Sequence, residues 1–180
     1  ITTGDAGLLG NAIVRGNANI SSDLAPNGII VANSLIEGNA RISGSVNISK
    51  GAIIRGAAIL RNNVHVEGFS NTLGTGPIIE DEAELFNNVN ILGNAKVKGK
   101  AVVKDGAFVK DYAEVYGSAQ VSNFTEIFEN AKVYGAAQVS LNAKVRGSAE
   151  VYDQSQITDY ALVKDNSKVY GFAVIGSGAT

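Results

Sequence analysis

The chain has no cysteine, no methionine and no tryptophan in 180 residues, only two prolines, and aromatics at 7%. Without cysteine there is no disulfide and no thiolate metal site, and either redox compartment is allowed. The missing methionine, even at position 1, sets the expectation of a processed product or an excised segment. Few large aromatics argue against a conventional globular core. Charge of one sign is lacking too: fifteen Lys and Arg are scattered among seventeen Asp and Glu, for a net charge of -2. No basic field therefore points to nucleic acid or to an anionic membrane. No apolar run approaches the roughly 20 residues of a helical membrane span, and no signal peptide is visible. The compartment, extracellular or cytoplasmic, stays open.

What the chain does have is glycine, 21 of them, and a beat of six. From Ile79 an aliphatic residue returns every sixth position through Leu85, Ile91, Val97 and Val103 to Val169 and Ile175. Four residues after each stands Ala, with Val89, Thr125, Ser155 and Ser167 as exceptions. Upstream, Ile30, Ile36, Ile42, Ile48, Ile54, Leu60 and Val66 keep the same count, as do Leu8, Val14 and Ile20 before them. The count slips twice, by four residues between Ile20 and Ile30 and by one between Val66 and Leu73, beside Pro26 and Pro77.

A helix cannot use this period, since successive sixth positions rotate around its axis. Short strands joined by sharp corners can. The aliphatic residue points inward from each strand, and the small residue fills the tight space near the next corner. Gly, Asp or Asn two after the aliphatic, as at Gly117, Gly135, Asp153 and Gly171, suits a corner that needs unusual φ. Three sides close a triangle, so one coil takes eighteen residues. The outward positions support eighteen independently: 96, 114, 132, 150 and 168 read Lys, Glu, Lys, Glu, Lys; 116, 134, 152 and 170 are all Tyr; 120, 138 and 156 are all Gln. The predicted fold is one all-β domain over residues 1–180, a single-stranded triangular parallel β-helix of about ten coils, with irregular excursions near 21–29 and 67–78.

The run from Ile79 to Thr180 (aliphatic, often Gly or Asp, two variable residues, small, variable) resembles the hexapeptide-repeat, left-handed parallel β-helix family. The resemblance covers nearly the whole chain and supplies the left-handed sense, because parallel crossovers are otherwise right-handed. Bactofilin-like right-handed solenoids are the fold alternative. Many proteins of the resembled family are trimeric acyltransferases using one His as general base, with coenzyme A along the coils. That resemblance makes His65, the sole histidine, the candidate base. The helical C-terminal segment and long excursion loop of those enzymes have no counterpart in the sequence.

Other candidate sites come from the files. Tyr116, Tyr134, Tyr152 and Tyr170 form an aromatic strip that either stabilises the sheet or stacks sugar rings of a glycan. Ile13, Leu35 and Ile53, with Leu92, Phe108 and Phe128 further along, are outward apolar residues assigned to one side, a candidate interface for side-by-side packing of copies. The corner column Asn87, Asp105, Asn123, Leu141, Asp159 is broken by leucine, so turn chemistry accounts for it and no metal site is assigned. No Gly-rich phosphate loop, Ser-His-Asp set or ligand cluster is present. Hexads running to both termini would expose unpaired strand edges, which predicts a longer parent solenoid or end-to-end contact. The expectation is a non-catalytic, self-associating rod without cofactor, nucleic-acid partner or membrane partner. The acyl-CoA-dependent transferase is the alternative, and glycan binding along the tyrosines the third.

Overall fold

In the computed structural model, residues 2–3, 6–21 and 29–176 are described. They form 28 strands of two to four residues, from Thr2–Thr3 to Val174–Ile175. Strands are this short because a three-residue side ends at a corner where the chain turns through positive φ. The Gly117, Gly135, Asp153 and Gly171 corners lie at φ of 73, 69, 60 and 67°. At Gly117 the requirement is also steric, since a Cβ there would stand 2.9 Å from the Gly135 carbonyl oxygen of the next coil.

The strands sort into three all-parallel sheets of ten, nine and nine strands, so the described shaft makes just over nine turns. Every third strand pairs with its neighbour above and below. Between Ile79 and Ile175 the offset is eighteen: Lys96 pairs with Glu114 and Glu114 with Lys132, and Gln120 with Gln138 and Gln138 with Gln156. We call the three sides by their outward residues. The glutamine face includes Gln120–Val121, the histidine face includes Val64–Glu67, and the tyrosine face, whose Tyr residues directly follow the strand pairs, includes Glu114–Val115.

The core is two kinds of file. Isoleucine, leucine and valine point inward from strand centres, and alanine fills the corners; Ile91, Val97, Ala113, Ala119, Val133 and Ala137 are all 0% exposed. Of the four small-site exceptions, Val89 is simply buried. The hydroxyls of Thr125 and Ser155 donate to the carbonyls of Ser122 and Tyr152 at 2.6 and 2.7 Å, and Ser167 donates to Lys164 at 2.6 Å. A buried hydroxyl is thus satisfied within its own corner.

Both slips in the count resolve differently from the sequence expectation. The buried rung here is Val31: it pairs with Ile48, seventeen residues on, and is 0% exposed, while the backbone of Ile30 pairs with Asn47. Leu8 pairs with Val31 but is 46% exposed on the first coil. Leu73 is not a rung at all; it is 39% exposed in an excursion. Ile54 pairs with Ile79, Leu60 with Leu85 and Val66 with Ile91, each 25 residues on. The excursion therefore adds seven residues at a single corner between the histidine and tyrosine faces. Gly68 and Gly76 hold its ends, where a Cβ at Gly68 would collide with the Lys50 carbonyl oxygen. Pro26 lies outside the described residues.

Candidate functional site

The excursion decides which residues share a side. The tyrosine face carries two outward files. The file preceding each inward residue reads Ile13, Leu35, Ile53, Ile78, Lys96, Glu114, Lys132, Glu150, Lys168. The file following it reads Arg15, Glu37, Arg55, Glu80, Lys98, Tyr116, Tyr134, Tyr152, Tyr170. Ile13, Leu35 and Ile53 therefore belong with the lysines and tyrosines. Leu92, Phe108 and Phe128 lie on the histidine face. The six apolar residues do not form one patch.

The two files exchange character midway. In the first four rungs the leading file is apolar and the trailing one alternates in charge, with Arg15 Nε donating to Glu37 and Arg55 Nε to Glu80, both at 2.7 Å. From Lys96 onward the leading file alternates in charge, and beyond Lys98 the trailing file is aromatic. Lys96 and Lys98 approach Glu114 at 3.2 and 3.5 Å, and Lys168 approaches Glu150 at 3.5 Å. Burial works against ionisation of Glu114, but the two lysines outweigh it and hold its pKa below the usual carboxylate value.

The four tyrosine rings stack face to face at centroid separations of 4.8, 4.9 and 5.4 Å, with interplanar angles of 1, 4 and 13°. That spacing is the strand repeat itself. Both faces of Tyr134 and Tyr152 are turned toward other rings, and Lys98 Nζ stands 5.1 Å from the Tyr116 centroid. A pyranose stacked on the strip would need an open ring face; the inner rings present their edges. The Tyr134 hydroxyl donates to Glu150 at 3.0 Å. Burial, followed by that hydrogen bond, pushes the Tyr134 pKa far up, while the same bond is the chief cause of a lowered Glu150 pKa.

On the histidine face, His65 lies in one file between Asn47 and Asn90. Its Nε2 meets Glu67 Oε2 at 2.8 Å, and Glu67 also bridges Lys50. Lys50 first and His65 second hold the Glu67 carboxyl below its ordinary pKa. The cluster borders a groove of about 270 Å³ lined by Lys50, Glu67, Gly68, Phe69, Leu92 and Gly93. Phe69, from the excursion, lies over Gly93, where a Cβ would come within 2.7 Å of its Cζ. The amide oxygen of Asn47 is buried without a hydrogen-bond partner. Sequence reasoning missed Glu67 and Lys50 as neighbours of His65, although the i, i+2 spacing of His65 and Glu67 sets both on one side of a strand. Further along, Leu92, Phe108, Phe128 and Leu162 are interleaved with charge. Lys110 Nζ sits 4.8 Å from the Phe128 ring centroid, and Glu126 is bridged by Lys110 and Lys144 at 3.2 and 2.7 Å.

The corner column between the glutamine and histidine faces bonds to itself. Asn62 donates to Asn87 at 3.4 Å and Asn87 to Asp105 at 3.0 Å. Among the described residues no three His, Asp or Glu side chains converge on a common point, and no helix is long and apolar enough to cross a membrane.

A scan against protein-family models matches none, and a search of curated proteins finds no relative. The chain is a parallel β-solenoid of stacked coils, compatible with the hexapeptide-repeat β-helix.

Proposed function

We propose that the chain is a non-catalytic, rod-like structural element, a hexapeptide-repeat shaft that associates with copies of itself. The observation that carries this reading is the use made of outward side chains. Tyrosines stack on tyrosines, lysines bridge glutamates one coil away, and asparagines bond to asparagines. These ladders run up the shaft and match neighbouring coils to one another. Such periodicity serves a rod whose coils must keep register. The left-handed winding belongs to the same reading and rests on the hexad resemblance. Sedimentation velocity over a concentration series tests it: growth in mass with concentration is expected, and a monomer at every concentration overturns it.

A second reading has its own observation. His65 paired with Glu67 at 2.8 Å has the form of a general base oriented by a carboxylate, beside a groove that an acyl donor such as a coenzyme A thioester could enter. An acyl-transfer assay on the wild type and on His65→Ala separates the two. Turnover that disappears in the variant establishes the enzyme, and indistinguishable rates discard it. Glycan binding along the tyrosines is supported less well, since the inner ring faces are turned to one another.

A further inference from the structure

We propose that the first four rungs of the tyrosine face bind a second copy of this chain antiparallel, about a two-fold axis crossing the face between Leu35 and Ile53. The proposal rests on the self-association reading and specifies its surface. Two adjacent files make the patch: Ile13, Leu35, Ile53 and Ile78, aligned rung on rung, and Arg15, Glu37, Arg55 and Glu80 beside them. Ile13 is 40% exposed and the other three apolar side chains are partly exposed. Nothing in the fold requires four consecutive aliphatics on an outward file, since the same file continues as Lys, Glu, Lys, Glu, Lys.

Symmetry selects the arrangement. An axis across the face keeps each file opposite itself and reverses its order. The apolar file then meets itself, Ile13 against the partner's Ile78 and Leu35 against the partner's Ile53. A charge file of plus, minus, plus, minus reversed becomes minus, plus, minus, plus. Arg15 therefore faces the partner's Glu80, and Glu37 faces the partner's Arg55. An isologous interface has to be self-complementary in this way. A parallel pair with its axis along the shaft over the apolar file would leave the two charge files on opposite flanks, unpaired; with its axis midway between the files, it sets each file opposite the other. It would place Ile13 against the partner's Arg15 and bury aliphatic surface on charge. The excursion of residues 68–76 borders the same patch; a Cβ on its Gly74 would lie 3.8 Å from Ile53 Cδ1, and its Leu73 is exposed at the margin. Four coils give a patch about 19 Å tall, and a side about 15 Å wide makes that about 300 Å² per chain, a small interface. Pairing is accordingly concentration-dependent.

Because the chain contains no cysteine, one introduced thiol reports the arrangement without background. A nitroxide on Lys168→Cys, in the ninth rung and outside the patch, is measured by double electron–electron resonance at several hundred micromolar protein. The proposed dimer separates the two labels by about 60 Å, thirteen coils at about 4.8 Å each. A distance of about 25 Å would place the axis instead between Glu114 and Lys132, in the tyrosine half, and a distance under about 20 Å would mean parallel pairing; either overturns the proposal. The pair Leu35→Glu with Ile53→Glu should abolish the long distance while the circular dichroism spectrum stays that of the folded shaft, since both side chains point outward; two carboxylates on paired strands lower the melting temperature only modestly. Glu37→Arg sets like charges face to face and should weaken pairing by about tenfold or more, and adding Arg55→Glu should restore it. If association persists unaltered in the double glutamate variant, this surface is wrong although the rod still self-associates. If the wild type is monomeric throughout, the broader reading falls with it.

Discussion

Residues 137 and 138 are neighbours in sequence and opposites in consequence. Ala137 is 0% exposed in the corner file between Ala119 and Ser155, which are also buried, while Gln138 points outward from the next strand. Replacing Ala137 by leucine adds three heavy atoms to a buried file whose members, Ala119 and Ser155 among them, recur at the strand spacing. The atoms cannot move outward without breaking the corner, where the Ala137 N–H donates to the Tyr134 carbonyl oxygen at 3.3 Å. Overpacking a site of this kind costs about 1–3 kcal/mol, and more where the backbone must shift. Gln138→Leu adds no volume to the interior and should stay within about 0.5 kcal/mol of the wild type. Unfolding of a coil stack need not be two-state, so hydrogen exchange of peptides spanning residues 115–140 should accompany the thermal melt. Faster exchange in those coils is expected for Ala137→Leu alone. If the two leucine variants behave alike, or Gln138→Leu is the more damaging, the inward and outward assignment is refuted.

Other outcomes follow from the same geometry. Glu67, Glu114, Glu126 and Glu150 all have pKa values below the model-compound value of 4.5. Their pairing therefore contributes stability that is fully present above pH 4.5 and is lost as the pH falls through the lower folded values; a melting temperature unchanged between pH 6 and pH 3 would contradict the bridges. Tyr134→Phe removes the main cause of the lowered Glu150 pKa, so a carboxyl carbon titration should show Glu150 moving back toward the ordinary range, with the other glutamates unmoved. Gly117→Ala combines left-handed φ with a close carbonyl and should cost more than about 1 kcal/mol, whereas Asp153→Gly, where φ is also positive, should be nearly neutral. Deleting residues 69–75 restores an offset of eighteen across that corner, and a circular dichroism spectrum and melt close to the wild type are expected.

Much of this architecture was legible in the residues, and the places where it was not have identifiable physical causes. The files of Lys96 through Lys168 and Tyr116 through Tyr170 report an uninterrupted stack, because a period of eighteen in unlike residue types has no other simple geometric origin. Val31 was obscured because Ile29, Ile30 and Val31 are consecutive aliphatics, and alternation cannot say which of them faces in. Leu73 misled for a different reason: an excursion happens to place a leucine six residues before Ile79. Counting it as a rung turns a seven-residue insertion at one corner into an extra side, and it rotates every earlier residue by one face. That is why Ile13, Leu35 and Ile53 were grouped with Leu92, Phe108 and Phe128 rather than with the lysine file. The His65–Glu67–Lys50 cluster was within reach of the count: Ser49 pairs with Glu67 at the same offset of eighteen as Ile48 with Val66, ahead of the excursion, which sets Lys50 beside Glu67.

The most direct test of the account is a pair of intramolecular distances in doubly labelled protein diluted with unlabelled chain. Nitroxides at Lys96→Cys and Lys168→Cys, four coils apart, should lie about 19 Å from each other, and moving the first to Arg55→Cys, six coils from Lys168, should lengthen this to about 29 Å. Distances that grow by one strand spacing per coil, across the excursion as well as beyond it, are what a three-sided shaft requires. A separation that fails to lengthen, or that is broadly distributed, would contradict the stacked-coil account.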